Sequence, residues 1–484
     1  MTKHLKLNAP KTVRAIVENL EALCVALIMA IIVRQFVLEA FMIPSQSMFP
    51  TLNGVPHFHK GDRVIVNKTH WMLGFEPRRW DVTVFKYPLD IRRNFIKRLV
   101  GMPGERLTVV DGDIWINRKI ERKPIRVQRS IWIERFPDRP AYASPPDRAR
   151  WDIRKAGKGW EGKGDCFTAS PAGKEVLSLP FDFGTPMPLD ASQRVHYDKV
   201  RDYRVRGEVT AAAGAEVGFE MQVRDVPFTV LLPAGSGKAR VEFPRAKYPV
   251  EVLEEQGKDL FLPAGEGVDI EVSHWDWWFE VRVDGEVWFS YQLNPGPWSV
   301  IRKGAKWPEM FHVGATTISV TAQGGQVALE DLAVDQDIHY MQNGKWDTLN
   351  YEFMGKKLVD GKLPDGYYFM MGDNSQGSRD SRLWHRIQVP DPDTGKLVWG
   401  EEYSWGLDSD HMYNQNLINF VDVNGRGYTI KGYDRVYATD RTANPMITKV
   451  EDYGLIPRRH LVGRGLCVFW PIPPFGEFRP KVIR

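Results

Sequence analysis

Two serine hydroxyls lie in a short segment, IPSQSMFPTL, which carries prolines on both sides of them. Pro44 and Pro50 restrict the backbone around Ser45 and Ser47, so we expect a stiff, mostly extended loop that holds both hydroxyls in place. A serine becomes a useful nucleophile only when a nearby base takes its proton. The segment therefore predicts a catalytic serine if the rest of the chain supplies a base, and otherwise an ordinary proline-rich loop.

The best candidate for that base is a lysine in a predicted strand. Eleven histidines are present, but none stands in a context typical of a Ser-His-Asp triad, and there is no G-x-S-x-G motif. A lysine accepts a proton only when neutral, which requires burial to lower its pKa. In NFIKRLVGMPGE, strand alternation places Phe95, Lys97 and Leu99 on one face. Lys97 is thus the candidate, although a lysine in a strand is more often solvated.

A third polar segment, GDNSQGSRDSR at residues 372 to 382, is dense in Asp, Ser and Arg between glycines. Such a segment can hold a polar network at a catalytic site, or can simply cap a turn with side-chain hydrogen bonds. His57 and His59, in HFH, could be two metal ligands, but no third ligand lies near them in the sequence. We therefore predict neither a metal nor a cofactor.

The composition excludes nucleic acid as a partner and argues for a folded chain. The 484 residues carry a formal net charge of only +4, with basic and acidic residues interspersed, and 43% of them are apolar. Cys24, Cys166 and Cys467 are far apart and lack metal-type spacing. The sequence leaves open whether Cys166 and Cys467 pair.

The serine segment follows the most apolar part of the chain. The run ALCVALIMAIIV at residues 22 to 33 is short for a bilayer span, but flanking residues extend it to residues 20 to 38, with charges only near the ends. No small-x-small cleavage site follows, so we expect an uncleaved transmembrane anchor rather than a signal peptide or a core helix. Four basic residues precede it, which predicts a cytoplasmic N-terminus and an extracytoplasmic remainder: Lys3, Lys6, Lys11 and Arg14.

The remainder is predicted to be mainly β. Short alternating runs fill residues 61 to 120, residues 136 to 200 look irregular, and strands at close spacing favour a jelly-roll-like β-sandwich at about 200 to 337. Its clearest hairpin is WFEVRVDGEVWFSYQ, turning at Asp284-Gly285. The predicted division is a cytoplasmic N-terminus (1–19), the anchor (20–38), a first part of a catalytic β core (39–126), an insertion containing the sandwich (127–337), a second core part (338–384), a second insertion (385–450) and a last core part (451–484).

Four tryptophans cluster around that hairpin and allow two interpretations: Trp275, Trp277, Trp278 and Trp288. They could form a platform for a sugar ring, which would give the sandwich a glycan ligand. The alternative, which we favour, is that they pack in the core and across the hairpin.

Taken together, the motifs resemble those of the bacterial type I signal (leader) peptidases, serine proteases with a Ser-Lys dyad. The matching segments occur in the family's order and cover somewhat over a quarter of the chain: the anchor, IPSQSMFPTL, GDRVIVNK, WDVTVFKYP, FIKRLVGMPGE, GDNSQGSRDSR and YGLIPRRHLVGR. The resemblance implies a β-rich catalytic domain on the outer face of the bacterial inner (cytoplasmic) membrane. Its substrates would be exported preproteins whose signal peptides end in small residues at the third and first positions before the cut.

The resemblance also assigns roles to single residues. Ser47 matches the nucleophile and Lys97 the general base. Ser45, with the backbone N–H of Ser47, matches the oxyanion hole. Ser378 matches the serine that orients the lysine amine by a hydrogen bond, and two further residues match supports of the site: Asp380 and Arg382. We place the pockets for small substrate side chains near Phe41, Ile43 and the strands at 84 to 97.

Three departures from the family pattern stand out. Insertions of roughly 210 and 65 residues interrupt the core, and Ser375 stands where an arginine is common. One rival hypothesis is a self-cleaving Ser-Lys regulator, which the anchor and the lack of a DNA-binding segment disfavour. The rival from another class is a membrane-tethered protein with an inactive peptidase core, whose sandwich captures a glycan or a protein.

Overall fold

The structure of the protein is a computed structural model. It describes the following residues: 11–55, 61–110, 112–136, 159–170, 173–179, 184–186, 197–223, 226–244, 250–255, 260–293, 317–340, 352–354, 356–375, 377–391, 393–402, 417–422, 426–431, 448–471 and 480–483. His57 and His59, the two candidate metal ligands, lie outside these ranges.

An apolar helix without glycine or proline opens the described chain. Helix α1 (Lys11–Ile32) continues through a π-turn (Val33–Val37). The 23 residues Ala15–Val37 have a mean hydropathy of 2.3 and none of that surface is buried, so the helix is long and apolar enough to cross a membrane. The predicted apolar helix is confirmed, and it begins before the predicted residue 20.

The first strand leaves this helix directly and enters the sheet that carries the site. The strands of this antiparallel sheet are β1 (Leu38–Met42), β2 (Arg63–Asn67), β3 (Val82–Tyr87), β4 (Asp90–Gly101), β5 (Tyr367–Met371), β6 (Leu455–Pro457), β7 (Leu461–Trp470) and β8 (Lys481–Val482). Their order in space is β1-β2-β7-β3-β4-β5-β6, and β8 pairs with β7. The sheet is thus assembled from three distant parts of the chain.

Two apolar clusters flank this sheet and explain its pattern. In β2 alternate residues are buried, whereas β3 is buried at every position but Lys86, as expected for a strand covered on both faces. One cluster lies under the serine segment: Ile43, Met48, Leu52, Val64, Val66, Val82, Val84, Val468 and Ile483. The other is aromatic and lies beside β4: Phe85, Tyr87, Leu99, Tyr368, Met370, Trp384 and Ile456.

Smaller elements complete the core. They are helices α2 (Thr69–Met72) and α3 (Ile125–Ile131), a three-stranded sheet (Leu107–Val110, Asp113–Ile116, Lys119–Ile120) and a hairpin (Glu352–Phe353, Lys356–Lys357). The boundary predicted between residues 126 and 127 falls inside α3. Val127 and Ile131 of this helix pack with Leu107, Val109 and Ile114, so α3 belongs with the core rather than with the sandwich.

The first insertion is a two-sheet sandwich within the described residues. One sheet has the order Val250–Glu255, Glu286–Leu293, Trp278–Val283, Gly267–Trp275, Tyr203–Ala211, Val327–Gln336, Cys166–Ala169 and Trp160–Lys163, with Ile133–Phe136 on Val327–Gln336. The facing sheet has the order Glu175–Leu179, Thr317–Gln323, Glu216–Val223, Val226–Pro233 and Arg240–Glu242. A separate ribbon pairs Gly184–Pro186 with Tyr197–Lys199.

The sandwich begins earlier than the sequence predicted. Residues 136 to 200 were expected to be irregular, yet strands Trp160–Lys163, Cys166–Ala169 and Glu175–Leu179 join its sheets. Phe167 and Leu177 of this part are buried in the sandwich core. Pro, Gly and Asp around these short strands hide their alternation in the sequence.

The predicted hairpin is confirmed. Phe279 pairs with Tyr291 and Val281 with Phe289, and all four side chains are buried. Asp284 and Gly285 both have positive φ, of 48° and 79°, as a two-residue turn requires. Trp275 and Trp277 are also buried, while Trp278 stacks on Trp275 at a centroid distance of 5.5 Å. Packing, the interpretation that we favoured, describes these tryptophans.

The second insertion contributes a five-stranded sheet of its own. Its order is Gly427–Lys431, Leu417–Asp422, Leu397–Glu402, His385–Pro390 and Lys449–Asp452. The sheet begins three residues after Arg382, at the end of the polar segment that follows β5. This short connection keeps the first strand of the added sheet close to the candidate site. The three cysteines are unbonded, including Cys166 and Cys467.

Candidate active site

Ser47 lies in a short turn that a buried anchor fixes. Ser45 is extended (φ −135°, ψ 156°) and the chain then forms one 3-10 turn, Gln46–Met48. The side chain of Met48 is fully buried in the cluster beneath the turn, and Ser47 is only 6% exposed. Because apolar side chains hold the turn from below, the hydroxyl of Ser47 has a defined position.

The polar segment 372–382 holds this turn from the other side. Asn374 donates its backbone N–H to the carbonyl oxygen of Ser47 and its side-chain N–H to that of Gln46, each at 3.2 Å. A Cβ atom on Gly372 would lie 2.4 Å from the Ser47 carbonyl oxygen, so only glycine fits at that position. The polar segment and the serine turn are therefore in direct contact.

Lys97 of β4 reaches Ser47 in the same place. Its Nζ lies 2.5 Å from Ser47 Oγ, and the residue is 4% exposed. Burial lowers the pKa of Lys97 to about 8, against the opposing effect of the negative charges of Asp380 and Asp373. A substantial fraction of the amine is thus neutral near pH 8, which lets it accept a proton.

The hydroxyl of Ser45 lies 3.3 Å from that of Ser47. This places a second O–H donor beside the nucleophile oxygen. In an attack on a carbonyl group the negative charge develops on the substrate's carbonyl oxygen, so the role of Ser45 in the oxyanion hole stays a prediction.

Asp380 and Arg382 form a buried ion pair that shapes the polar segment. The guanidinium group donates from Nε and Nη2 to the two carboxylate oxygens, at 2.7 and 2.6 Å, and both side chains are fully buried. Arg382 also donates to the carbonyl oxygen of Ser375, and Asp380 accepts the N–H of Gly372. The pair therefore fixes the backbone that contacts the serine turn.

A second buried ion pair was not predicted from the sequence. Arg98 donates to both oxygens of Asp373, at 2.7 and 2.6 Å, and to the carbonyl oxygen of Trp80. Thr51, four residues after Ser47, donates to Asp373 as well. The available signal was an arginine in the apolar run FIKRLV, since a buried arginine requires a carboxylate partner.

Ser378 does not make the predicted hydrogen bond to Lys97 in this structure. Its hydroxyl is buried and has no hydrogen-bond partner among the described residues. It faces Gly372, where an added Cβ would lie 2.2 Å from its oxygen. The lysine amine instead contacts Ser47, and the orienting role of Ser378 stays a prediction.

A cleft of about 260 Å³ opens beside the two catalytic candidates. Its lining comes from β1, β3, β4 and the serine segment, and it includes the residues near which the sequence placed the substrate pockets: Phe41, Ile43, Val84, Phe95 and Ile96. Besides Lys97, three charged residues line the cleft, and only the last of them lies outside the segments singled out in the sequence: Arg93, Arg379 and Glu401. Such a mainly apolar cleft beside a nucleophile can bind an extended peptide segment.

A separate buried acidic cluster lies between the core and the sandwich. Carboxylate oxygens of Asp113, Asp202 and Asp276 lie within 4.8 Å of one another. Lys123 donates to Asp276 and lies 3.0 Å from Asp337, so an ammonium group already supplies positive charge there. The cluster is a joint between two units rather than a candidate metal site.

The chain matches the family model described as "Signal peptidase, peptidase S26" over residues 16–134 and 313–395. It is 31% identical to signal peptidase I T of Bacillus subtilis, covering 26% of this chain and 62% of that protein. It is 35% identical to signal peptidase I of Leptolyngbya laminosa over 22% of this chain and 53% of that protein. The corresponding figures for signal peptidase I of Pseudomonas fluorescens are 39%, 16% and 30%. The chain thus spans less than two thirds of each of these relatives.

Among solved structures, the carbohydrate binding module CBM66 from Bacillus subtilis aligns with 37% of this chain and 91% of its own length. The identity is 7% and the TM-score is 0.23, which is too low to carry an argument. The two segments of the family match contain every predicted site residue. The interval between them, residues 135 to 312, holds most of the sandwich.

Proposed function

We propose that this chain is a signal peptidase of peptidase family S26, a family of serine peptidases, and that it removes N-terminal signal peptides from exported preproteins with a Ser-Lys dyad. The observation that carries the proposal is the 2.5 Å contact between Lys97 Nζ and Ser47 Oγ in a buried setting. Asp380 and Arg382 support this geometry through the backbone of the polar segment.

The reaction follows from the positions of the two side chains. Neutral Lys97 takes the proton of Ser47 as the serine oxygen attacks the scissile carbonyl carbon, and the carbonyl oxygen becomes an oxyanion beside Ser45. The protonated amine then donates that proton to the leaving amine, and an acyl-enzyme on Ser47 remains. Lys97, neutral again, activates a water molecule that hydrolyses the ester and releases the signal peptide.

We propose that the substrate lies in the cleft between β1 and β4. The apolar walls formed by Phe41, Ile43, Val84 and Ile96 favour small apolar side chains close to the scissile bond. Helix α1 would anchor the enzyme in the bacterial inner membrane by a single span, with the N-terminus in the cytoplasm. Ser47 follows the end of the apolar helix by ten residues, so the cleft would lie near the membrane surface.

The test is cleavage of a purified preprotein with Ala at the third and first positions before the cut, in detergent or lipid. The full chain is expected to cleave it, while Ser47→Ala and Lys97→Ala are expected to lose measurable cleavage and keep the wild-type unfolding profile. Lys86→Ala, which alters an exposed lysine of neighbouring β3, is the matched control and should cleave normally. A folded wild-type chain that cleaves none of these preproteins would favour the membrane-tethered binding protein instead.

A further inference from the structure

The second insertion reaches into the cleft of the proposed enzyme. Glu401 belongs to strand Leu397–Glu402 of the five-stranded sheet, and it lines the same cleft as Ser47 and Lys97. The family match ends at residue 395. Glu401 is therefore a cleft residue that the additional sheet of this chain contributes.

Glu401 is held by two residues of the core. One carboxylate oxygen accepts a hydrogen bond from the hydroxyl of Tyr87 at 2.6 Å, and the other accepts one from Nη2 of Arg93, also at 2.6 Å. The side chain of Glu401 is 15% exposed and that of Arg93 is 33% exposed. Both charges thus meet solvent, and a bound substrate, at the surface of the cleft.

Aromatic rings fix the position of this ion pair. The guanidinium carbon of Arg93 lies 4.6 Å above the ring centroid of Tyr87, which in turn stacks on Phe95 at 4.4 Å. Trp384 meets both rings edge-on, at 5.5 and 5.7 Å. The Arg93–Glu401 ion pair is therefore held in place by packed aromatic rings and is not a pair of mobile surface side chains.

Arg93 lies at a fixed distance along β4 from Lys97, the proposed general base. Arg93, Phe95 and Lys97 alternate along β4, and both cationic groups lie over the ring of Phe95, at 5.8 and 6.0 Å. Four residues of a strand span roughly 13 Å. An extended peptide that runs beside β4 would present to Arg93 a side chain about four residues from the bond that is cut.

The charged residues that line this part of the cleft carry a net positive charge. Arg93 and Arg379 contribute two guanidinium groups and Glu401 one carboxylate among the described lining residues. Asp90 also approaches Arg93, at 3.5 Å, but lies closer to Arg92, at 2.9 Å. An acidic substrate side chain at this place would be attracted, and a lysine would be repelled.

We propose that Arg93 and Glu401 form a specificity subsite that favours an acidic over a basic side chain about four residues from the scissile bond. This inference rests on the proposed peptidase function. Glu401 moderates the preference by neutralising part of the positive charge of Arg93, and the second insertion thereby tunes the choice of preprotein.

The experiment uses the full chain and a panel of preproteins that share one cut site. Each carries a single Asp, Asn or Lys at one position, either four to six residues before the cut or three to six residues after it, and kcat/KM is measured for each. At one position we expect Asp to exceed Lys by roughly fivefold, the scale of a solvent-exposed ion pair. Glu401→Gln should widen that ratio, Arg93→Gln should remove most of it, and Arg93→Lys should retain it.

Glu451→Gln is the matched control. Glu451 pairs with Lys449 and accepts from Tyr453 in the same added sheet, but it does not line the cleft, so its ratio should equal the wild-type ratio. Equal Asp-to-Lys ratios in wild type, Glu401→Gln and Arg93→Lys at all positions would overturn the subsite while cleavage itself continues. Failure of the wild type to cleave any preprotein would instead overturn the peptidase proposal.

Discussion

At the scale of single residues, the proposed chemistry depends on two serine hydroxyls and one lysine amine that lie close together. The reacting pair is buried. Ser47 and Lys97 are 6% and 4% exposed, so water competes little for their contact. The same burial makes the amine a base, because it penalises the ammonium form. Ser45, which precedes Ser47 by two residues, has an extended backbone, and its proposed role is that of an oxyanion donor.

Ser45→Ala is expected to slow the reaction without stopping it. Removing one oxyanion donor should lower kcat roughly a hundredfold or more, with KM little changed, because the donor acts mainly on the developing charge. Initial rates of preprotein cleavage over a range of substrate concentrations test this. Ser45→Thr keeps a hydroxyl and should recover much of the rate, whereas an unchanged kcat in Ser45→Ala would contradict the assignment.

At the scale of elements, one buried ion pair joins β4 to the polar segment and a second lies within that segment. Arg98 of β4 holds Asp373, and Arg382 holds Asp380, so both ends of the segment that contacts Ser47 are fixed. Each pair satisfies its charges with two parallel hydrogen bonds, which offsets the cost of burial. Loss of one partner would leave the other charge buried without compensation.

Asp373→Asn should therefore destabilise the fold by about 3 to 5 kcal/mol, the usual cost of breaking a buried ion pair. Urea unfolding followed by tryptophan fluorescence measures the change. Asp393→Asn is the control, because Asp393 pairs with Arg426 on the surface and its loss should cost far less. Equal unfolding midpoints for the two variants would argue against a structural role of the Arg98–Asp373 pair.

The sequence predicted the elements of the site better than their supports. The proline-flanked serines, the strand with Lys97 and the polar segment each carry a local pattern, and family resemblance put them together. The partner of Arg98 is 275 residues away along the chain, and no local pattern identifies it. Glu401 was missed for the same reason, since the second insertion has a polar, glycine-rich sequence and its pairing with Tyr87 and Arg93 is tertiary.

At the scale of the whole molecule, the sandwich and the cleft are separate units with a buried joint. Every predicted site residue lies on the core sheet or on the loops beside it, and the described sandwich residues contribute nothing to the cleft lining. Lys123, Asp276 and Asp337 form the joint, and the predicted boundary at residue 127 would have cut helix α3. The ligand of the sandwich, glycan or protein, stays a prediction.

Replacing residues 133 to 336 by a short hairpin should leave signal peptide cleavage intact. The deletion keeps α3, whose Ser130 accepts a hydrogen bond from Lys481, and it removes Asp276. Lys123→Met and Asp337→Asn are included, so that these two charges are not left buried. The shortened protein should cleave the model preprotein at a rate close to that of the full chain. Denaturing gel electrophoresis measures this rate, because the cleaved product is smaller than the preprotein. A folded deletion variant without activity would mean that the sandwich is part of the catalytic unit.

The most direct test of the Ser47–Lys97 dyad is the pH dependence of kcat/KM. Lys97 accepts a proton only when neutral, so kcat/KM should fall about tenfold per pH unit below a midpoint near 8 and reach a plateau above it. Burial also lowers the pKa of Lys481 to about 8, so Lys481→Met is measured in parallel and should keep the same midpoint. A profile that stays flat from pH 9 down to pH 5 would contradict a lysine base.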